Sequence, residues 1–132
     1  MTKNELLNLD LNAACYDGDL KEVKSLVKQG CDVHWEQEEP LTTACENGHL
    51  EIVKYLVDNC GVDVQARDNH ASRWAAINGH QQVVKYLVEC GVDAFMTRDW
   101  LVSYGFDKNN KVLNYLESVV LKYKRLKQLA KV

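Results

Sequence analysis

The sequence predicts an all-α fold: a solenoid of stacked helix pairs with short connectors, about four units long, closed by a C-terminal capping helix. Three observations carry this. First, Glu46-Asn47-Gly48-His49-Leu50-Glu51-Ile52-Val53-Lys54-Tyr55-Leu56-Val57 returns as Ile77-Asn78-Gly79-His80-Gln81-Gln82-Val83-Val84-Lys85-Tyr86-Leu87-Val88. An earlier copy, Tyr16-Asp17-Gly18 to Leu26-Val27, precedes both, so that Gly18, Gly48 and Gly79 are spaced by 30 and 31 residues. Second, each copy closes on Gly-x-Asp, at Gly30-Cys31-Asp32, Gly61-Val62-Asp63 and Gly91-Val92-Asp93. Third, the apolar residues within each copy recur at helical spacing. One such helix pair cannot bury its own stripe, whereas stacked pairs share a continuous core.

The elements follow in order. Residues 1–9 form an N-terminal cap, where Thr2-Lys3-Asn4-Glu5 is a capping-box pattern and Leu6, Leu7 and Leu9 are available to cover the first unit. Unit 1 spans 10–38, unit 2 spans 39–69 and unit 3 spans 70–98. In unit 2, Pro40 suits a first helical turn, where its missing N–H is not needed. Leu41, Ala44 and Cys45 lie on one face of the helix that follows, and Gly48 ends it. Ile52, Val53, Leu56 and Val57 mark the second helix, ended by Gly61. The small pair Ala44-Cys45 recurs as Ala14-Cys15 and Ala75-Ala76, which lets neighbouring helices approach closely.

Unit 4, at 99–117, is degenerate: Val112-Leu113-Asn114-Tyr115-Leu116 matches Val83 to Leu87, with Lys108 expected in the place of the turn glycine. Residues 118–132 complete a basic terminal helix. Val112, Leu116, Val119, Tyr123, Leu126 and Ala130 form one apolar seam along it, about 33 Å long at 1.5 Å per residue. That helix caps the stack, pairs with a second chain, or lies on an anionic surface.

The repeated residues resemble the ankyrin repeat, whose pattern Thr-Pro-Leu-His-x-Ala-Ala-x-x-Gly-His is followed by Glu39-Pro40-Leu41-Thr42-Thr43-Ala44-Cys45-Glu46-Asn47-Gly48-His49. The resemblance covers roughly residues 9–116. The family's inter-repeat histidine is replaced by Asn12, Thr42 and Arg73, and the connectors are shorter than the family's usual β-hairpin fingers. These short connectors, with Arg73-Trp74-Ala75 ahead of Asn78-Gly79-His80, are similar to the ankyrin arrays of giant DNA viruses. The resemblance implies a binding module, not an enzyme. It also implies that partners meet the connector tips and the concave face of the first helices.

Composition limits what else the chain could be. Of its 132 residues 46% are hydrophobic and 27% charged, the ordinary balance of a globular domain. No apolar run approaches the length of a membrane span. The N-terminal residues predict no signal peptide, so the five cysteines read as reduced thiols in the cytoplasm, with the nucleus left open. Net charge is −3, but residues 1–109 hold 10 basic and 18 acidic side chains, whereas 110–132 hold six basic side chains and one glutamate. An acidic body argues against nucleic acid as its ligand.

The search for chemistry yields no phosphate loop, no His-Glu-x-x-His and no nucleophile elbow. Cys31-x-x-His34 is half of a zinc site, and its missing ligands would have to come from residues locked to repeat positions. No catalytic residue, cofactor or metal is therefore expected. His49 and His80 read as structural residues at the family's Gly-His position; His34 and His70 read as solvated.

The expected ligand is a protein. By resemblance, the two residues after each small pair line the groove: Tyr16 and Asp17, Glu46 and Asn47, Ile77 and Asn78, Phe106 and Asp107. Trp35, beside Glu36, Glu38 and Glu39, adds an aromatic anchor in an acidic connector. Phe95, Met96 and Trp100 are read as a third connector packed over unit 4. A monomer is favoured, with a homodimer through the terminal helix as the alternative.

Overall fold

The structure, a computed structural model, describes residues 1–131; Val132, at the end of the predicted terminal segment, lies outside the described residues. Eight helices follow one another without a strand among the described residues: α1 (Lys3–Asp17), α2 (Leu20–Lys28), α3 (Trp35–Glu46), α4 (Leu50–Cys60), α5 (Ala66–Ile77), α6 (Gln81–Glu89), α7 (Ala94–Ser103) and α8 (Lys111–Leu129). The odd-numbered helices pack in sequence as one layer, α1 on α3 on α5 on α7. The even-numbered helices form the second layer in the same order. This is the predicted solenoid of helix pairs.

The core lies between the layers. Leu11, Val23, Leu41, Val53, Leu56, Val84, Leu87 and Leu101 are fully buried. Cys15, Cys45 and Ala76 are equally buried, so small side chains stand where the first helices approach one another. At the N-terminus Thr2 Oγ1 accepts from the Glu5 N–H while the Glu5 carboxylate accepts from the Thr2 N–H, closing the capping box. Only Leu7 of the three early leucines is buried; Leu6 and Leu9 face solvent.

Each unit turns in the same way. Gly18, Gly48 and Gly79 hold φ of 81°, 76° and 79°, and the next N–H returns to the carbonyl of the first small residue: Asp19 to Ala14, His49 to Ala44, His80 to Ala75. Unit 4 corrects the sequence expectation. Its turn glycine is Gly105, φ 91°, with the Phe106 N–H returning to Leu101 O. Lys108 does not take that place, because a left-handed turn favours the residue without a Cβ. The second helix nevertheless keeps the predicted alignment, with Val112, Leu113 and Leu116 buried. The segment from Phe106 to Asn110 absorbs the offset, and Asn110 caps α8 by accepting from the Leu113 N–H.

The first two connectors are not hairpin fingers. In each, three consecutive non-glycine residues adopt left-handed φ: Glu36, Gln37 and Glu38 at 49°, 56° and 70°, then Arg67, Asp68 and Asn69 at 55°, 57° and 61°. Such residues cost roughly 1–2 kcal/mol each in this conformation, so each turn needs compensation. The last residue of each is buried. Asn8, Glu38 and Asn69, at one repeat register, are each 8% exposed. Asn8 Oδ1 accepts from the Asp32 N–H at 2.8 Å, and Glu38 Oε2 accepts from the Asp63 N–H at 3.2 Å. Each left-handed turn thus delivers a polar side chain into the seam between units. The regular right-handed turns of α3 follow Glu38, which leaves Pro40 in their first turn.

The third connector is absent as such. Asp93 Oδ1 accepts from the Phe95 and Met96 N–H groups and caps α7 directly. Phe95, Met96 and Trp100 are therefore helical residues of α7, not loop residues.

Candidate protein-binding surface

The surface is best built from the register of the first helices. Thr43 Oγ1 on α3 donates to Asn12 Oδ1 on α1 at 2.8 Å, and the Ser72 and Thr97 hydroxyls stand 3.3 Å apart between α5 and α7. These contacts replace the family's missing histidine tie. His49 Nε2 meets Tyr16 O at 2.8 Å, so the second unit's histidine fastens the end of α1. His49 and His80 also fill the space beside Gly18 and Gly48, where a Cβ would come within 2.6 Å and 2.4 Å of their imidazole rings. The histidines join units together, and the glycines leave them room.

On this frame Tyr16, Glu46 and Ile77 fall in one column, and Asp17, Asn47 and Asn78 in the next. Tyr16 is 62% exposed, Ile77 half-buried, and Asp17 and Glu46 exposed. Asn47 and Asn78 donate their amides to the carbonyls of Thr43 and Trp74, so they also close the last turn of their own helices. Because the turn is at Gly105, the columns continue in unit 4 with Ser103 and exposed Tyr104. Phe106 and Asp107 lie beyond the turn, which corrects their assignment to these columns; Phe106 is packed against the core, and Asp107 Oδ1 accepts from the Asn109 N–H.

Trp35, half-buried, lines a cleft of about 430 Å³ with Asn12, Glu36, Gln37, Glu39 and Arg67. Glu39 holds Arg67 at 2.9 Å, Asp68 holds Arg73 at 2.8 Å and Asp99 holds Arg98 at 2.8 Å. The arginines of this face are thus neutralised locally. Asp17, Glu36 and Glu46 form no ion pair among the described residues, so the remaining charge of the face is negative.

Sequence reasoning missed an aromatic ladder. His70 meets Trp74 edge-on at 5.8 Å, Trp74 meets Trp100 at 6.5 Å, and Trp100 meets Tyr104 at 4.5 Å. The Arg73 guanidinium lies 5.8 Å from the Trp100 ring. Trp74 and Trp100 occupy equivalent positions of α5 and α7, a signal that becomes readable once Gly105 sets the register. His70 is half-buried here rather than solvated; burial, reinforced by Arg67 and Arg73, lowers its pKa. His34 is exposed but pairs with Glu38 Oε1 at the left-handed turn.

The cysteines are all free thiols. Burial raises Cys15 to about 12 and pushes Cys45 higher still, so both are inert neutral groups of the core. Among the described residues no three His, Cys, Asp or Glu side chains stand together as a metal site. No helix of the described residues is long and apolar enough to cross a membrane.

Stacked helix pairs that turn in the same way unit after unit define a helical repeat protein. The family model described as ankyrin repeats (3 copies) matches residues 11–98, and the chain belongs to the ankyrin-repeat family, a general protein–protein interaction module. Similar proteins include protein phosphatase 1 regulatory subunit 27 from human and from mouse, each 39% identical over 62 residues, which is 45% of this chain and 40% of the relative. Rat protein fem-1 homolog A is 59% identical over 27 residues, 20% of this chain and 4% of that protein. The chain thus matches well under half the length of these curated relatives.

Proposed function

We propose that this chain is a non-enzymatic module that binds another protein through its first-helix face and connector tips, and that its ligand is a basic or amphipathic segment. The observation that carries the proposal is the strip of Tyr16, Asp17, Glu46 and Asn78, exposed, with Asn47 and Ile77, half-buried, extended by Tyr104 and flanked by Trp35, on a frame whose Arg67, Arg73 and Arg98 are already paired. A preformed surface of this kind loses little conformational entropy on binding. Its unpaired carboxylates speed encounter with cations and reject acidic competitors. One of the relatives is named as a regulatory subunit of protein phosphatase 1, which accords with a module that works on another protein. The reduced connectors and Arg73-Trp74-Ala75 favour the finer likeness to giant-virus arrays, with a host protein as partner in the cytoplasm, where five free thiols stay reduced.

Affinity capture from host-cell lysate tests this, with the Tyr16→Ala/Trp35→Ala/Ile77→Ala variant as control bait. The expected result is a protein retained by the natural chain and lost by the variant at matched helicity. Recovery of the same proteins by both baits refutes the proposal.

A further inference from the structure

We propose that the cleft at Trp35 is an arginine subsite: the segment received by the first-helix strip places one arginine side chain there, its guanidinium over the Trp35 ring and against the Glu36 carboxylate. This deepens the binding reading and rests on it, because the strip receives the segment that carries the arginine. The cleft and the strip share a face. Asn12, which lines the cleft, stands one helical turn before Tyr16 on α1. Glu39 and Glu46, at the two ends of the regular part of α3, are about 10 Å apart at 1.5 Å per residue. About three extended residues of a ligand cover that distance.

Trp35 is not needed to build its own turn, because the same turn occurs twice. The His34 N–H donates to Asp32 Oδ1 and the Trp35 N–H to Asp32 O, as the Gln65 N–H donates to Asp63 Oδ1 and the Ala66 N–H to Asp63 O. Alanine thus serves at the second turn where tryptophan stands at the first. The Trp35 indole also joins neither the packed core nor the aromatic ladder of the other two tryptophans. Among the described residues no cation lies over its ring. It lines instead an open cleft of about 430 Å³, the size of a small-ligand pocket.

Charge selects a cation. Arg67 Nη1 donates to Glu39 Oε2 at 2.9 Å on one wall, so the cleft already receives one guanidinium from the following connector. By repeat register, Arg67 and Glu39 at that seam correspond to Glu36 and Leu9 at the seam before it. Glu36 and Leu9 cannot form an ion pair, and Glu36 stays exposed without a cation among the described residues. The lining therefore carries two carboxylates and one guanidinium, a balance of −1 that one added cation neutralises. Arginine suits it better than lysine. A flat, weakly hydrated guanidinium stacks on an aromatic face and forks onto a carboxylate, and the Gln37 amide in the lining offers a further acceptor.

Proton–nitrogen correlation spectra of the isotope-labelled full chain test this at constant pH and ionic strength. The probes are the tripeptide acetyl-Gly-Arg-Gly-amide and its lysine and citrulline counterparts, citrulline being the uncharged isostere of arginine. The arginine probe should shift the Trp35 indole N–H and the amides of residues 34–39 saturably, with half-saturation in the millimolar range expected of a single side chain. The lysine probe should bind about threefold more weakly and the citrulline probe about tenfold more weakly. Glu36→Gln should weaken the arginine probe about tenfold, and Trp35→Ala, a change that Ala66 shows the turn accepts, about fivefold, both at unchanged helicity. Equal binding of arginine and citrulline, tighter binding of lysine, unchanged binding in either variant, or no saturable shift by about 10 mM would each overturn the subsite. The subsite and the strip fail separately. Protein captured by the natural chain and lost by Tyr16→Ala/Ile77→Ala, with no arginine shift, keeps the strip and overturns the subsite. A saturable arginine shift with capture unchanged in that variant keeps the guanidinium site and overturns the strip.

Discussion

Gly18→Ala tests the unit-to-unit joint. Two costs are combined at this position. Its φ of 81° is strained for alanine, at roughly 1–2 kcal/mol. In addition, the new Cβ would stand 2.6 Å from His49 Cε1 and 2.7 Å from Nδ1. The imidazole cannot simply swing aside, because its Nε2 is fastened to Tyr16 O at 2.8 Å. Moving it forfeits a hydrogen bond of about 0.5–1.5 kcal/mol, and leaving it overpacks the joint by about 1–3 kcal/mol. Gly79 supplies the control: its φ is 79°, yet nothing lies within 4 Å of a Cβ there. Gly79→Ala should therefore cost only the conformational ~1–2 kcal/mol, and Gly18→Ala about 1–3 kcal/mol more. Urea unfolding followed by circular dichroism at constant slope measures both. In a His49→Ala background the gap between the two substitutions should close to within about 0.5 kcal/mol. Equal costs for the two glycines in the natural background would refute the joint as described.

The remaining predictions are shorter. Leu56→Ala should destabilise by about 2–5 kcal/mol because the side chain is fully buried. Leu126→Ala, on the exposed half of α8, should stay within about 0.5 kcal/mol by the same denaturation assay. Thr43→Ala should cost about 1 kcal/mol by removing the α1–α3 bond to Asn12. Tyr86 is held above the ordinary tyrosine value by burial and by its bond to Asp58. The native state therefore keeps a proton that the unfolded chain loses near pH 10, so stability should fall as pH rises through 10. Tyr86→Phe should flatten that slope in pH-dependent unfolding. A thiol reagent should modify exposed Cys90 in the native protein, whereas Cys15 and Cys45 should react only on unfolding, read by mass spectrometry of digested peptides.

Much of the architecture was legible in the chain because it rests on local signals repeated three times. The 30- and 31-residue spacing of Gly18, Gly48 and Gly79, the small pairs and the apolar stripes each specify a helix, a turn or a close approach without knowledge of the rest. The Thr2–Glu5 cap is equally local. Of the proposed binding strip, the columns of units 1–3 were readable for the same reason. Unit 4 was not: its second helix points to Lys108, while the turn lies at Gly105, and only the folded backbone shows that Phe106 to Asn110 takes up the difference.

What tertiary structure alone decided is everything that depends on a neighbour. Glu36, Gln37 and Glu38 have no intrinsic preference for left-handed backbone. They adopt it where Glu38 can reach the Asp63 N–H of the next unit. Trp74 and Trp100 are far apart in the chain and meet because α5 and α7 stack. Val102 is 52% exposed although the matching Cys45 is buried, a difference set by what packs on each helix and not by the helix itself. Sequence determined the repeating part, since a helix and its turn are written within a few residues. Stacking determined the connectors, the aromatic ladder and the exposure of Val102, since their free energy comes from surfaces that exist only once the units are side by side.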